Sequence, residues 1–146
     1  VRLDHPSLTI RKPDRPVSPL KEQPWRIILT HDASSIPADS ICLTDEFRDR
    51  TLVVENVFNY LELLKKLYNN KKIGTILLEA GGCLVREFLK AGLVDEWVGF
   101  YAPIIIGGGA DGVAPGPFLE HEAHLEQPVV NIFGDDVCIR GDICYR

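Results

Sequence analysis

A carboxylate and two glycines separate an apolar run from an amphipathic run in residues 76–89. Glu79 closes the apolar run, and Gly81 and Gly82 come directly before the amphipathic one. A helix N-terminus presents unpaired backbone N–H groups and the positive end of the helix dipole, and glycines let a phosphate approach that backbone closely. Beside such an anion site, Glu79 is placed to accept a hydrogen bond from a second ligand. The junction therefore predicts a phosphate-bearing cofactor and a polar substrate at the carboxyl edge of a sheet.

The same two glycines are also typical of a tight turn between a strand and a helix. The local pattern alone does not decide between such a turn and a phosphate site. The segment is not a Walker loop, because no Gly-Lys-Ser/Thr follows it. It is not a three-glycine dinucleotide fingerprint either, since Leu84 and Val85 occupy the positions where the third glycine is sought.

The elements that must position this junction follow from the apolar patterning. Short apolar runs predict strands at residues 25–30, 40–44, 51–54, 73–79, 96–106, 129–133 and 137–145. Helical spacing predicts one helix that begins after Asn56 and another that follows the glycines and ends at Gly92. Residues 107–109 predict the start of a mobile loop running to about Pro117. The order predicts an α/β fold: a mixed, mostly parallel sheet flanked by helices, with a C-terminal antiparallel hairpin through residues 134–136.

The composition limits the class of protein. A length of 146 residues suits one domain, 1–146, and 45% hydrophobic residues are ordinary for a globular chain. A net charge of -5 disfavours nucleic acid as a partner, because phosphate neutralisation needs a basic face. The sequence contains no apolar stretch as long as a membrane span and no signal-peptide pattern. We therefore expect a cytoplasmic protein without a nucleic-acid or membrane partner.

Four cysteines are scattered without Cys-x-x-Cys spacing: Cys42, Cys83, Cys138 and Cys144. Their apolar or strand-like surroundings favour buried free thiols in a reducing compartment over disulfides or zinc ligands.

Several motifs in a fixed order resemble the reductase domain of riboflavin-biosynthesis proteins, which has the dihydrofolate-reductase-like fold. They are Asp4–Arg11, Leu78–Gly82, Phe88–Glu96, Tyr101–Pro103, Ile106–Gly108 and Gly134–Cys138. Together they extend over nearly the whole chain, and their shared order is more specific than any single motif. The resemblance implies an NADPH-dependent oxidoreductase and a homodimer. The implied reaction reduces the ribosyl side chain of 5-amino-6-(5-phosphoribosylamino)uracil to the ribitylamino product.

The resemblance also implies site residues, although it assigns no catalytic side chain and no metal ligand. For the phosphorylated pyrimidine substrate it implies that Arg11 binds the phosphate, that Leu8 adds a backbone contact and that Glu79 adds a hydrogen bond. An arginine suits this role because its planar fork of donors matches phosphate oxygens. The implied cofactor-binding residues are Asp4, His31, Gly81, Gly82 and Cys83.

Two features depart from the family's pattern. His31 stands where a small hydroxyl residue is expected near the cofactor, so a protonated ring there would either pair with a nucleotide phosphate or crowd the site. The family domain also begins with a strand, a helix and a second strand before the motif of residues 4–11. We therefore expect an N-terminally incomplete domain that lacks normal reductase activity by itself. Steady-state NADPH oxidation at full-length rates would contradict this expectation.

Two alternatives to this reductase stay open. One is a related NADPH reductase of another pyrimidine or pteridine. The other is a non-catalytic module for oligomerisation or for support of a fused zinc deaminase, a frequent companion domain in this family. The aromatic residues Trp97, Phe100 and Tyr101 are equally compatible with a dimer surface and with core packing.

The deaminase ligand motifs His-x-Glu and Pro-Cys-x-x-Cys do not occur in the sequence. His121 and His124 stand near Glu120 and Glu122, but their polar loop favours a solvated surface over a metal site.

Overall fold

The computed structural model describes residues 6–11, 23–105, 112–117 and 119–146. The chain divides into two compact units, one ending at Gly74 and the other beginning at Thr75. A parallel strand pair with helices forms the first unit, and an antiparallel sheet with a helix lies in the second. The predicted mixed α/β class is confirmed, and the single domain over residues 1–146 stays a prediction.

The first unit is built on a parallel pair of strands, β1 (Arg26–Thr30) and β2 (Thr51–Glu55). Their register places Arg26 opposite Thr51 and Thr30 opposite Glu55. The crossover between them contains one helical turn, α1 (Ile41–Thr44), and a longer helix, α2 (Tyr60–Lys71), follows β2. The predicted strands at 25–30 and 51–54 are thus confirmed to within one residue. Side chains buried in this unit include Ile28, Cys42, Phe47 and Leu67.

The strand predicted at residues 40–44 is wrong, because this segment forms the turn α1. The Asp45 amide donates to the Ile41 carbonyl over 3.0 Å, and the Thr44 hydroxyl donates to the Ser40 carbonyl over 3.1 Å. Both bonds span four residues and need helical backbone. A run of five residues is too short for its apolar pattern to distinguish one helical turn from a short strand.

The helix cap predicted at Asn56 is also wrong, because α2 begins three residues further on. The side chain of Asn59 accepts a hydrogen bond from the Glu62 amide over 3.1 Å and caps the helix. Asn56 instead has φ 52°, in the left-handed region that asparagine tolerates, and its amide donates to the Thr30 carbonyl over 2.9 Å. Asn56 therefore ends the strand pair rather than starting the helix.

The second unit contains helix α3 (Gly82–Lys90) and a three-stranded antiparallel sheet. Its strands are β3 (Glu96–Tyr101), β4 (Ala123–Phe133) and β5 (Asp136–Tyr145), in the spatial order β3-β5-β4. The turn predicted around residues 134–136 connects β4 to β5, so the C-terminal hairpin is confirmed. The helices of the described ranges are too short or too polar to cross a bilayer.

Gly92 ends α3 as predicted. With φ 64° it adopts the left-handed conformation, its amide donates to Leu89, and the Leu93 amide donates to Phe88 over 3.1 Å. This pair of bonds is the Schellman motif, which satisfies the last carbonyls of a helix.

Two further strand predictions need correction. Residues 73–79 form no strand with any described residue, and Leu77 within them is 79% exposed. An apolar run becomes a strand only where a ladder partner accepts its backbone groups. The strand predicted at 96–106 ends at Tyr101, because Pro103 lacks the N–H that a ladder needs. Of the predicted loop, residues 107–111 lie outside the described ranges, and 112–117 are irregular.

All four cysteines are free. Cys42 and Cys138 are buried as predicted and Cys144 is half-buried, whereas Cys83 is exposed in the first turn of α3. The prediction of burial is therefore wrong for Cys83.

Candidate functional site

The predicted site residues divide between the two units. Leu8, Arg11 and His31 belong to the first unit, Glu79, Gly81, Gly82 and Cys83 belong to the second, and Asp4 lies outside the described residues.

Residues 6–11 carry Leu8 and Arg11 and belong to no helix or strand. Side chains from elsewhere in the unit hold the backbone of this segment. The Gln23 carboxamide accepts from the Ile10 amide over 2.9 Å and donates to the Ile10 carbonyl over 3.2 Å. Near the other end, the Cys42 thiol donates to the Pro6 carbonyl, with Sγ and O 2.9 Å apart. Burial raises the pKa of this thiol, which keeps it protonated as a donor.

A buried arginine provides the third anchor. The Arg26 side chain, 2% exposed, donates through Nη1 to the Ser7 carbonyl over 2.9 Å and through Nη2 to the Cys42 carbonyl over 3.0 Å. Both nitrogens also bind the Asp45 carboxylate, over 2.7 and 2.8 Å. Hydrogen bonding to Asp45 raises the pKa of Arg26, and the same bonds lower the pKa of Asp45. Arg26 and Asp45 therefore form a charged bidentate ion pair, and Arg26 also contacts the segment of residues 6–11 at the Ser7 carbonyl.

The anchored segment has an unusual backbone at Leu8. Its φ of 50° lies in the left-handed region, which costs an ordinary L-residue about 1–2 kcal/mol. The anchors at Ser7 and Ile10, on either side of Leu8, oppose relaxation of this conformation. Three residues after Leu8, Arg11 is exposed, and its Nη2 donates to the Ser7 hydroxyl over 2.8 Å. The segment thus presents an oriented, solvent-accessible guanidinium.

His31 is exposed directly after β1. The loop that carries it is tied to the end of β2, because the Ala33 amide donates to the Glu55 carboxylate over 2.6 Å. His31 therefore lies at the carboxyl edge of the parallel pair, the edge at which open α/β sheets bind ligands.

The two glycines at the start of α3 have different surroundings. A Cβ built on Gly81, the residue that precedes the helix, meets nothing within 4 Å. A Cβ built on Gly82 would lie 2.5 Å from Pro115 Cδ and 2.6 Å from the Gly112 carbonyl oxygen. The segment 112–117 therefore closes one side of Gly82, whereas the backbone of Gly81 is open on the corresponding side.

Glu79 and Cys83 flank the glycines and are both exposed. Together with the open backbone of Gly81, they form an accessible strip at the N-terminus of α3. A diphosphate fits such a strip, because main-chain N–H groups and the helix dipole favour an anion there. Packing against Pro115 and Gly112 by itself explains why position 82 is a glycine.

Three residues that hold the segment of residues 6–11 were not predicted from the sequence: Arg26, Asp45 and Gln23. A signal for Arg26 was present in the sequence, because arginine in an apolar strand is seldom buried unless it is paired. No comparable signal marked Asp45 or Gln23 as its neighbours.

The histidines near the C-terminus form no metal cluster. Nε2 of the exposed His124 side chain lies 2.9 Å from Oε2 of Glu122. Across the described ranges, no group of histidine, cysteine, aspartate and glutamate side chains has an arrangement that could hold a metal ion.

Comparison with known proteins adds a family match. Residues 1–139 match the family described as the RibD C-terminal domain. Riboflavin biosynthesis protein RibD of Mycobacterium tuberculosis is 32% identical over 108 residues, which are 74% of this chain and 29% of that protein. RibD of Escherichia coli K12 is 35% identical over 95 residues, or 62% of this chain and 26% of that protein. The chain thus spans under a third of the length of these curated relatives.

Solved structures show the same fold. Two forms of Acinetobacter baumannii RibD give TM-scores of 0.77 and 0.75 at 23% identity, covering 97% of this chain and 44% and 43% of theirs. A pyrimidine reductase-like protein from Corynebacterium diphtheriae gives a TM-score of 0.51 at 16% identity, covering 81% of this chain and 50% of its own.

Proposed function

Since the chain belongs to the RibD C-terminal domain family, we propose that it performs the reductase step of riboflavin biosynthesis. The substrate is 5-amino-6-(5-phosphoribosylamino)uracil, and the product carries a ribityl side chain. Hydride is added at sugar C1 of the ring-opened imine form, while the imine nitrogen takes up a proton. The family match over residues 1–139 is the observation that carries this proposal.

The substrate phosphate is assigned to Arg11. Its guanidinium is exposed and already oriented by the Ser7 hydroxyl, so a phosphate can replace water on the remaining donors. The left-handed backbone at Leu8 supplies a main-chain contact to the same ligand. Glu79 is assigned a hydrogen bond to a neutral N–H or hydroxyl of the substrate.

The cofactor is assigned to the start of α3. NADPH supplies the hydride when bound, and the chain contributes binding and orientation. The open backbone of Gly81, with the amides of Gly82 and Cys83, is assigned to the diphosphate. His31 is assigned to the nucleotide side, and Asp4, outside the described residues, completes the proposed cofactor contacts.

A label-transfer experiment tests the proposed reaction. The protein is incubated with the substrate and NADPH deuterated at C4, using the 4R and 4S isotopomers in separate reactions. We expect one isotopomer to give a ribitylamino product that carries one deuterium at C1, detected by mass spectrometry. Mass spectrometry detects even slow turnover. Unlabelled product from both isotopomers, or no product at saturating concentrations of both ligands, would contradict the proposal.

We further propose that the protein is a homodimer through its antiparallel sheet. The strand register places Val98, Phe100, Val129 and Phe133 on one face, and all four are exposed. The rings of Phe100 and Phe133 lie 5.9 Å apart between centroids. Phe100 is 62% exposed, so it does not fill the core of its unit, and a second copy of the chain would cover this apolar face.

A further inference from the structure

Two hydrogen bonds to Ser7 link the buried ion pair to Arg11, the exposed arginine proposed to bind the substrate phosphate. Asp45 binds Arg26 Nη1 over 2.7 Å, and the same nitrogen donates to the Ser7 carbonyl over 2.9 Å. The Ser7 hydroxyl then accepts from Arg11 Nη2 over 2.8 Å. Ser7 is therefore contacted by Arg26 through its backbone and by Arg11 through its side chain.

Stability alone does not explain a charged pair at this position. Replacing a buried ion pair by apolar residues of similar volume is often neutral or stabilising. A planar fork is needed, however, to bind both Asp45 oxygens and still reach the carbonyls of Ser7 and Cys42. The contact with Ser7 ties residues 6–11 to β1, although that segment has no strand or helix of its own.

We propose that Arg26, oriented by Asp45, is a positioning residue for the substrate-phosphate site. It fixes Ser7, and the Ser7 hydroxyl in turn orients the guanidinium of Arg11. This inference rests on the proposed function, because it assigns the phosphate of the substrate to Arg11.

The first test compares two substrates in the Arg26→Lys variant. A lysine keeps the charge but cannot bind Asp45 in a bidentate manner and contact Ser7 at once. We expect KM for the phosphorylated substrate to rise about tenfold, the worth of one charge-assisted hydrogen bond. The KM for the same compound without its phosphate, the kcat and the Kd for NADPH should stay unchanged. Equal losses for both substrates would indicate a merely structural role and overturn the proposal.

Arg48→Lys is the matched control. Arg48 is another exposed arginine of the first unit and has no role in the proposed site. The same substitution there should leave both KM values unchanged.

A double-mutant cycle tests whether Arg26 acts through Arg11. If it does, adding Arg26→Lys to Arg11→Ala causes no further increase in KM for the phosphorylated substrate. Multiplicative losses would overturn the proposal. Should Arg26→Lys fail to fold, Ser7→Ala serves instead, because it keeps the carbonyl for Arg26 and removes the hydroxyl that binds Arg11 and Thr9. We then expect the same selective rise in KM.

Hydrogen exchange separates this inference from the proposed function, because it needs no ligand or turnover. We expect the amides of residues 6–11 to exchange about tenfold faster in Arg26→Lys than in the parent protein, and Arg48→Lys to leave them unchanged. Unchanged exchange in Arg26→Lys would overturn the anchoring role itself. Faster exchange in a protein without label transfer would reject the proposed function but retain the anchor.

Discussion

Arg11 and Arg26 have opposite exposures, and this difference assigns them different roles. Arg11 is exposed, so it can exchange water for a phosphate at low desolvation cost. The Arg26 side chain is buried, and its two terminal nitrogens are bound to Asp45 and to two backbone carbonyls. Arg11 therefore suits ligand binding, whereas Arg26 suits the positioning of protein groups.

Replacing Arg11 tests its assignment to phosphate. We expect Arg11→Ala to raise KM for the phosphorylated substrate by about 10- to 100-fold, because hydrogen bonds to charged groups contribute about 1.5–3 kcal/mol. KM for the dephosphorylated compound should be unaffected. Arg48→Ala, which removes another exposed arginine of the same unit, is the control and should change neither value. An Arg11→Ala variant with normal KM for both substrates would contradict the assignment.

The ion pair also predicts an acid-dependent stability. Arg26 lowers the pKa of Asp45 in the folded protein, so the stabilisation from this carboxylate is complete above its unfolded pKa of about 3.9. It is lost as the pH falls through the lower folded value. We expect Asp45→Asn to be less stable than the parent protein at pH 7, with a difference that narrows below about pH 4. Urea unfolding at pH 7, 5 and 3 measures this, and a constant difference would be inconsistent with the bridge.

The site residues differ in how far sequence alone could find them. The role of Arg11 follows from the resemblance to the family, and the motif that carries it is contained within residues 4–11. Arg26 and Asp45 meet across 19 positions, and only the folded crossover between β1 and β2 brings them together. A short family motif therefore indicates the group proposed to bind the ligand but not the groups that orient it.

At the level of elements, the start of α3 combines an open glycine with an enclosed one. Gly81 has free space at its Cβ position, whereas Gly82 lies against Pro115 and Gly112. Gly81 is therefore the proposed ligand contact, whereas Gly82 is required for packing.

Alanine substitutions at the two glycines should differ in their effects on protein stability and on NADPH binding. Gly82→Ala places a methyl group on Pro115 and the Gly112 carbonyl, so we expect a loss of about 1–3 kcal/mol in the free energy of unfolding. Gly81→Ala should cost less than about 1 kcal/mol, because φ is -68° and no atom is near. It should nevertheless weaken NADPH binding at the exposed backbone. Chemical denaturation and NADPH titration of both variants measure this, and the reverse ranking of stability would refute the packing description.

Elements with local signals were predicted well, and elements that depend on distant partners were not. The hairpin between β4 and β5 and the cap at Gly92 follow from short-range turn chemistry. Asn56 and Asn59 are both acceptable caps by type, and the choice is settled by the bond between Asn56 and the end of β1. Residues 73–79 have the composition of a strand but no ladder partner among the described residues.

In the whole molecule, which has a net charge of -5, one face of the antiparallel sheet carries large exposed apolar side chains. Val98, Phe100, Val129 and Phe133 lie together on that face. Patches of this kind mark association surfaces in soluble proteins.

The proposed homodimer predicts a mass change on substitution. We expect the parent protein to sediment as a dimer and Phe100→Glu to sediment as a monomer, because the dimer would bury an unpaired carboxylate on each chain. Phe58→Glu is a suitable control, since Phe58 is 92% exposed in the first unit and should not alter the mass. A monomeric parent protein, or a dimer that Phe100→Glu leaves intact, would contradict this interface.

Binding of NADPH, followed by nicotinamide fluorescence at constant protein concentration, distinguishes a nicotinamide-dependent reductase from a module without this cofactor. We expect a saturable fluorescence change that weakens when Gly81 is replaced by alanine. Fluorescence that rises in strict proportion to added NADPH, with no saturation for the parent protein, would contradict the assignment of this fold to a nicotinamide-dependent reductase.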